Sequence, residues 1–316
     1  MSETTKHLSA GETGNLSRLA RARETYKENK FAYLMVLPTV LYLLLLVWFP
    51  WMQGLVMSFF NWPLFGPKTF IGLDNYTYLI SWEVFRQSLV ATLIYGTQTI
   101  GHLLLGTIMA LIVWKQKRFV GVVSIIFLIP YVIPPLVTGT LFSYLLNPNV
   151  GPFFELMTEW GILAKPVYWL SDDFSAIAVV TLVGVWTWAP LVFLLVISAL
   201  EGIPKQYYEV AEVFGANVWE RFRYITFPQI KTTLLIALII RIIWNLGKVS
   251  QPFVMTRGGP GYSTSMLGVL IYRLAWIQTD FGLAFATGVI LSVISLVFIS
   301  LFVYKFEQEE GEVSIA

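Results

Sequence analysis

Arg241, Asn245 and Lys248 stand at spacings of four and three inside an otherwise apolar run, 232–255. On a helix those spacings put all three side chains on one face. A polar face at that depth can bond the hydroxyls of a small solute, and Gln251 adds a second carboxamide. Trp186, Trp188 and Trp244 supply flat rings that suit the C–H face of a sugar. The same residues have a plainer use. Arg241 can make one structural ion pair with a partner subunit, Lys248 can reach to the interface, and the tryptophans can be ordinary packing. Both readings stand at this point.

Other chemistries lack their residues. The phosphate-cradling pattern G-x-x-x-x-G-K-[ST] is absent, and the one Gly-Lys pair, Gly247-Lys248, is followed by Val249. The chain has no cysteine, and two histidines, His7 and His102, make no metal cluster. There is no G-x-S-x-G turn. No acid, base and nucleophile converge, so the chain is not read as an enzyme. A net charge of +2 gives no basis for nucleic-acid binding. Ion-coupled secondary transport of a polar solute is the alternative, weakened because the apolar runs hold no carboxylate for a proton relay.

The elements that position these residues are membrane spans. Of 316 residues 56% are hydrophobic and 13% charged, about half the charged share of a soluble domain. Apolar runs at 31–51, 87–114, 119–146, 174–200, 232–255 and 281–304 each suffice for the roughly 20 residues that cross a bilayer. The expectation is an all-α integral membrane fold of six helices surrounded by lipid. Fourteen Lys and Arg fall in 1–30, 115–118, 201–231 and the C-terminus, against five on the other side. Both termini are therefore expected in the cytoplasm. The domain reading is a tail at 1–30, a membrane domain at 31–305 and a C-terminal tail at 306–316.

Pro130, Pro134 and Pro135 interrupt the third run, as a packing kink or as a broken helix lining a passage. Ala284, Gly288 and Ser292 form a small-residue stripe on the sixth. Outside the fifth run, Gly258, Gly259 and Pro260 predict a tight reversal.

Between the fourth and fifth runs, 201–231 is polar and reads as two short helices. Ile203, Tyr207, Val210, Ala211 and Phe214 share one face of the first, and Gly215 stops it. Asn217 and Glu220 form a capping box that opens the second, with Phe222 and Ile225 on one side and Pro228 as terminator. A helix-turn-helix knob of this length is more than a connector, and suits docking.

The run Ile203-Pro204, Glu209-Val210-Ala211, Gly215-Ala216, Phe222, Ile225 and Phe227-Pro228 resembles the EAA loop of permease subunits in binding-protein-dependent ABC importers. The stretch from Phe70 to Tyr76, FIGLDNY, is similar to that family's outer-loop signature. Thr256 to Pro260, TRGGP, is similar to the turn of its carbohydrate, maltose-permease-type branch. Departures are Val210 for Ala, Phe214 for Asp, Phe227 for Leu, Thr232 for Pro, and Val249-Ser250 for Phe-Asp.

The resemblance implies a sugar or polyol importer of a prokaryotic cell membrane. A second homologous permease, two ATPase subunits and an extracytoplasmic solute-binding protein complete it. ATP and Mg belong to the ATPases, and this chain has no cofactor. Glu209, Ala211, Gly215, Ala216, Phe222, Ile225 and Pro228 would then form the ATPase-coupling loop.

Overall fold

The computed structural model describes residues 29–115 and 120–313, the side chains of 303 and 305–313 excepted. Expectations for 1–28, for Lys117 and Arg118 and for 314–316 lie outside the described residues. A first unit ends at Gly54 and a second begins at Leu55. The first holds α1, Lys30–Leu43, and the wider π turn Leu44–Trp48; α2, Phe49–Met57, runs on into the second. Together they make one apolar span, Lys30–Met57, longer than the 31–51 expected.

The second unit opens with a two-stranded ribbon, β1 Phe60–Asn61 and β2 Thr69–Phe70, in which Phe60 faces Phe70. After it comes α3, Asp74–Ser81. The FIGLDNY stretch explains itself here. Gly72 takes φ +60°, which suits glycine, and lets the chain turn from strand to helix. The buried Asn75 then donates to Ser58 O and Phe60 O at 2.8 and 3.0 Å, pinning α3 to the ribbon.

α4, Glu83–Gly96, and α5, Gln98–Lys115, form the second span; α9, Asp173–Glu201, is the fourth. α5 and α9 pack closely because glycine lets them. A Cβ on Gly106 would come within 2.6 Å of Val192 Cβ and 2.7 Å of Ala189 O. Asp172 caps α9 by accepting from Ser175 N–H, a bond that holds its carboxyl below the usual range.

The third run is a broken helix. α6, Val120–Val132, and α7, Pro135–Leu145, meet at 95°. Ile133 precedes a proline and Pro134 precedes another, and a residue before proline is pushed from helical to extended backbone. Pro134 duly has ψ 138°, and Pro135 opens the new helix where no donor is required. α8, Pro152–Glu159, and Trp169, whose Nε1 donates to Leu146 O at 2.7 Å, make a low platform after α7.

The fifth run differs from the expectation in both directions. α12, Phe227–Leu246, starts earlier and ends before Gly247; a separate α13, Ser250–Thr256, follows. Pro252 is the reason: in a continuous helix its ring would meet the carbonyl of Lys248, whereas in the first turn of a new helix it is harmless. α14, Leu267–Trp276, packs beside this break, and a Cβ on Gly268 would sit 2.9 Å from Lys248 O. α15, Phe281–Val313, is helical well past the expected start of a tail at 306. Among the described residues five helices can span a membrane, and the bent pair α6 and α7 makes a sixth.

Candidate functional site

Two places carry the residues singled out in the sequence, a buried polar cluster and the knob. Two hydrophobic cores flank the cluster along α9. An outer one includes Ile177, Val180 and Val183, and an inner one includes Val192, Phe193 and Val196. Between them lie Gly184, Thr187 and Trp188.

Arg241 is fully buried there. Its Nε donates to His102 Nδ1 at 3.2 Å and its Nη2 to Asn245 Oδ1 at 2.7 Å. Asn245 Nδ2 donates in turn to Thr99 Oγ1 at 2.8 Å. Arginine can only donate, so His102 Nδ1 accepts and Nε2 carries the proton, which it gives to Gly184 O at 3.2 Å. The spacing of four between 241 and 245 is thus a direct bond. Within its own chain Arg241 meets neutral acceptors on α5 and α12.

Lys248 lies beyond the end of α12, so it does not continue the helical face predicted for it. Its Nζ nevertheless reaches the Trp188 ring, 3.4 Å from the centroid, while the Arg241 guanidinium lies 5.1 Å from the same ring. A ring face returns about 2 kcal/mol to a desolvated cation, less than the several kcal/mol that burying an unpaired charge costs. The ring therefore holds the cations without neutralising them. Tyr131, the last turn of α6, meets Trp188 edge-on at 5.9 Å.

The structure separates the three tryptophans. Trp186 packs edge-on against Phe142 at 5.1 Å, and Trp244 is exposed. Gln251 is buried in the outer half, where its Nε2 faces Val180 O at 3.5 Å. His102, Thr99 and Gly184 were not singled out as site residues. Their signal is the polar spacing of Gln98, Thr99 and His102 on one face of an apolar helix.

The outer turn is as compact as its glycines predict. Gly258 has φ +93°, and a Cβ there would lie 3.0 Å from Arg273 Nη1. Thr256 and Thr264 hydroxyls meet at 2.6 Å, and Thr264 Oγ1 donates to Gly259 O at 2.7 Å across the cis Gly259–Pro260 bond.

The knob has its predicted helices. α10 is Lys205–Val213, Gly215 follows with φ +78°, and α11 is Val218–Arg221. The capping box is complete: Asn217 Oδ1 accepts from Glu220 N–H at 3.0 Å, and Glu220 Oε2 from Asn217 N–H at 2.7 Å. Arg221 pairs with Glu212, and Tyr208 Oη meets Thr226 Oγ1 at 3.0 Å, tying α10 to the chain after α11.

Pro228 is not the terminator. A π turn, Phe222–Thr226, leads straight into α12, and Pro228 sits in the first turn of that helix. The wider turn displaces the carbonyl that the proline ring would otherwise meet. Glu209 and Gly215 are exposed, Ala211, Ala216, Phe222 and Ile225 half-buried. Val213 and Phe214 are 86% and 85% exposed, with Trp219 nearby at 69%. A groove of about 660 Å³, lined by Trp114, Tyr208, Trp219 and Phe222, runs beside them. Val213, Phe214 and Trp219 thus make an exposed apolar, aromatic tip.

The fold is a many-spanning α-helical one, with broken spans around a polar cluster and a knob with an exposed apolar tip. The chain belongs to the family described as binding-protein-dependent transport system inner membrane component, whose model matches residues 102–306. It is 32% identical over 275 residues to the trehalose/maltose transport system permease protein of Thermococcus litoralis, covering 86% of this chain and 92% of that one. It is 28% identical to the sulfoquinovosyl glycerol transport system permease protein of Agrobacterium fabrum, covering 84% and 86%. In fold it matches a bacterial ABC transporter that imports the acidic polysaccharide alginate, with TM-score 0.80 at 24% identity, over 91% of this chain and 99% of that one. The chain is a multi-pass inner-membrane permease subunit of an ABC importer, a transport component rather than an enzyme. The secondary-transporter alternative falls with that membership.

Proposed function

We propose that the chain forms half of the translocation pathway of an ATP-driven importer for a sugar or related polyol, beside a second homologous permease. Two cytoplasmic ATPases hold ATP and Mg, and a solute-binding protein delivers the cargo on the opposite side. The single observation that carries this reading is the knob: two capped helices whose apolar tip projects between spans, exposed among the described residues. Such a tip transmits force when a partner's cleft closes on it. Glu209, Ala211, Gly215, Ala216, Phe222, Ile225 and Pro228 shape that coupling loop. Both termini lie in the cytoplasm with it.

Arg241, Asn245, Lys248 and Trp188 are proposed to border the solute path, with Trp186, Trp244 and Gln251 further along it. The sugar assignment is supported by the TRGGP turn and by relatives named for trehalose, maltose and a sulfoquinovosyl glycoside. Proteoliposomes holding the complete importer test it. Labelled sugar should accumulate only with ATP inside and binding protein outside. Accumulation by this chain alone, driven by an ion gradient, would overturn the proposal.

A further inference from the structure

Arg241 and Lys248 set two positive charges against one indole, and among the described residues no negative charge meets them. No Asp or Glu occurs in 87–114, 120–146, 174–200, 227–256 or 281–304. Among the described residues the ion pairs are Arg86 with Glu83 and Arg221 with Glu212, both elsewhere. The acceptors around Arg241 are neutral, and its Nη1 has none. The Tyr95 hydroxyl pairs with the Gln98 side chain, whereas Trp188 Nε1 is, like Arg241 Nη1, a buried donor without an acceptor. Two buried donors, Arg241 Nη1 and Trp188 Nε1, thus stand open to an acceptor from outside the described residues.

The backbone points to the same place. α6 breaks after Val132 and α12 after Leu246, and the outer pieces that follow pack on each other: a Cβ on Gly139 of α7 would lie 3.1 Å from Gln251 O of α13. Trp188 joins the two breaks, with Tyr131 from one against its edge and Lys248 from the other over its face. Interrupted helices at membrane depth are tolerated where they line a cavity or are covered by protein, and in transporters they mark the cargo site.

We infer that the missing anion arrives on the cargo: the solute is an acidic saccharide whose carboxylate or sulfonate meets Lys248, with Arg241 behind it. This rests on the importer reading above and narrows its substrate class. Arg241 is sealed in its own chain by His102, Asn245 and Trp188, so a fixed carboxylate from a neighbouring subunit has no route to it. Lys248 is only partly covered and sits in the break itself. The Trp188 face parks its ammonium while the site is empty, and a passing anion displaces the ring as partner. A neutral sugar leaves the charge unanswered, which is how such a site selects.

The test uses the complete importer with its binding protein in proteoliposomes, and two probes: a labelled uronic-acid disaccharide and a neutral disaccharide of the same linkage. Lys248→Gln should cut ATP-dependent uptake of the acid by at least about tenfold relative to the neutral sugar, and Lys248→Arg should keep it within a few-fold of the parent. Uptake of the neutral sugar alone, unaffected by Lys248→Gln, leaves the importer reading intact and overturns the acidic-cargo inference. Undiminished uptake of the acid by Lys248→Gln does the same. Loss of the second permease from purified Lys248→Gln assigns the cation to a subunit contact and also overturns it. ATP-dependent uptake of neither probe sinks the saccharide reading and the inference together.

Discussion

Gly215 holds φ +78° with open space where a Cβ would be. The constraint on it is therefore conformational: a β-branched residue pays about 1–2 kcal/mol to stay left-handed. Gly215→Val is expected to insert and assemble but to lose solute-stimulated ATP hydrolysis, measured on the purified complex; normal stimulation would remove the turn from the coupling path. Asn245 is constrained by bonding instead. Asn245→Leu strands Arg241 Nη2 and the Thr99 hydroxyl, at about 1–3 kcal/mol, so the melting midpoint of the solubilised protein should fall by several degrees. An unchanged midpoint would contradict the bonding described. The pairing of 241 with 245 is legible in the sequence because helix geometry fixes neighbours four apart. The bond from Arg241 to His102 is not, since it joins residues 139 apart and depends on how α5 and α12 pack.

At the scale of elements, some prolines mark a helix boundary and others do not. Pro134 and Pro135 stand at the start of α7 and Pro252 in the first turn of α13, whereas Pro228 follows a π turn and Pro38, Pro130 and Pro190 lie inside helices that continue past them. From sequence these look alike. Hydrophobic periodicity located the apolar runs, yet it could not see the break at Gly247, because α13 is as apolar as the end of α12. Two glycines at that break should respond oppositely. A Cβ on Gly247 meets nothing within 4 Å, and one on Gly268 meets Lys248 O at 2.9 Å. Gly247→Ala is expected to leave thermal stability nearly unchanged, and Gly268→Ala to lower it by about 1–3 kcal/mol. Equal effects in a thermal melt would show that α14 does not press on the break.

For the whole molecule, the knob and the α8 platform should face opposite sides of the membrane. The chain has no cysteine, so a single introduced thiol reports its own position. The apolar runs made the spans legible, since lipid thickness acts on composition alone, and the charge bias is the ground for the expected sidedness. How the spans pack was not legible, because small-residue stripes name a close approach without naming the partner. The measurement that bears most directly on the account is cross-linking from the knob. Val213→Cys, at the most exposed large hydrophobic residue on α10, is treated with a short thiol-to-amine cross-linker in the assembled importer. The account predicts a covalent product with the ATPase subunit and a matching loss of solute uptake. Assembled, active importer with no such product, or a thiol at 213 labelled from the binding-protein side, would contradict it.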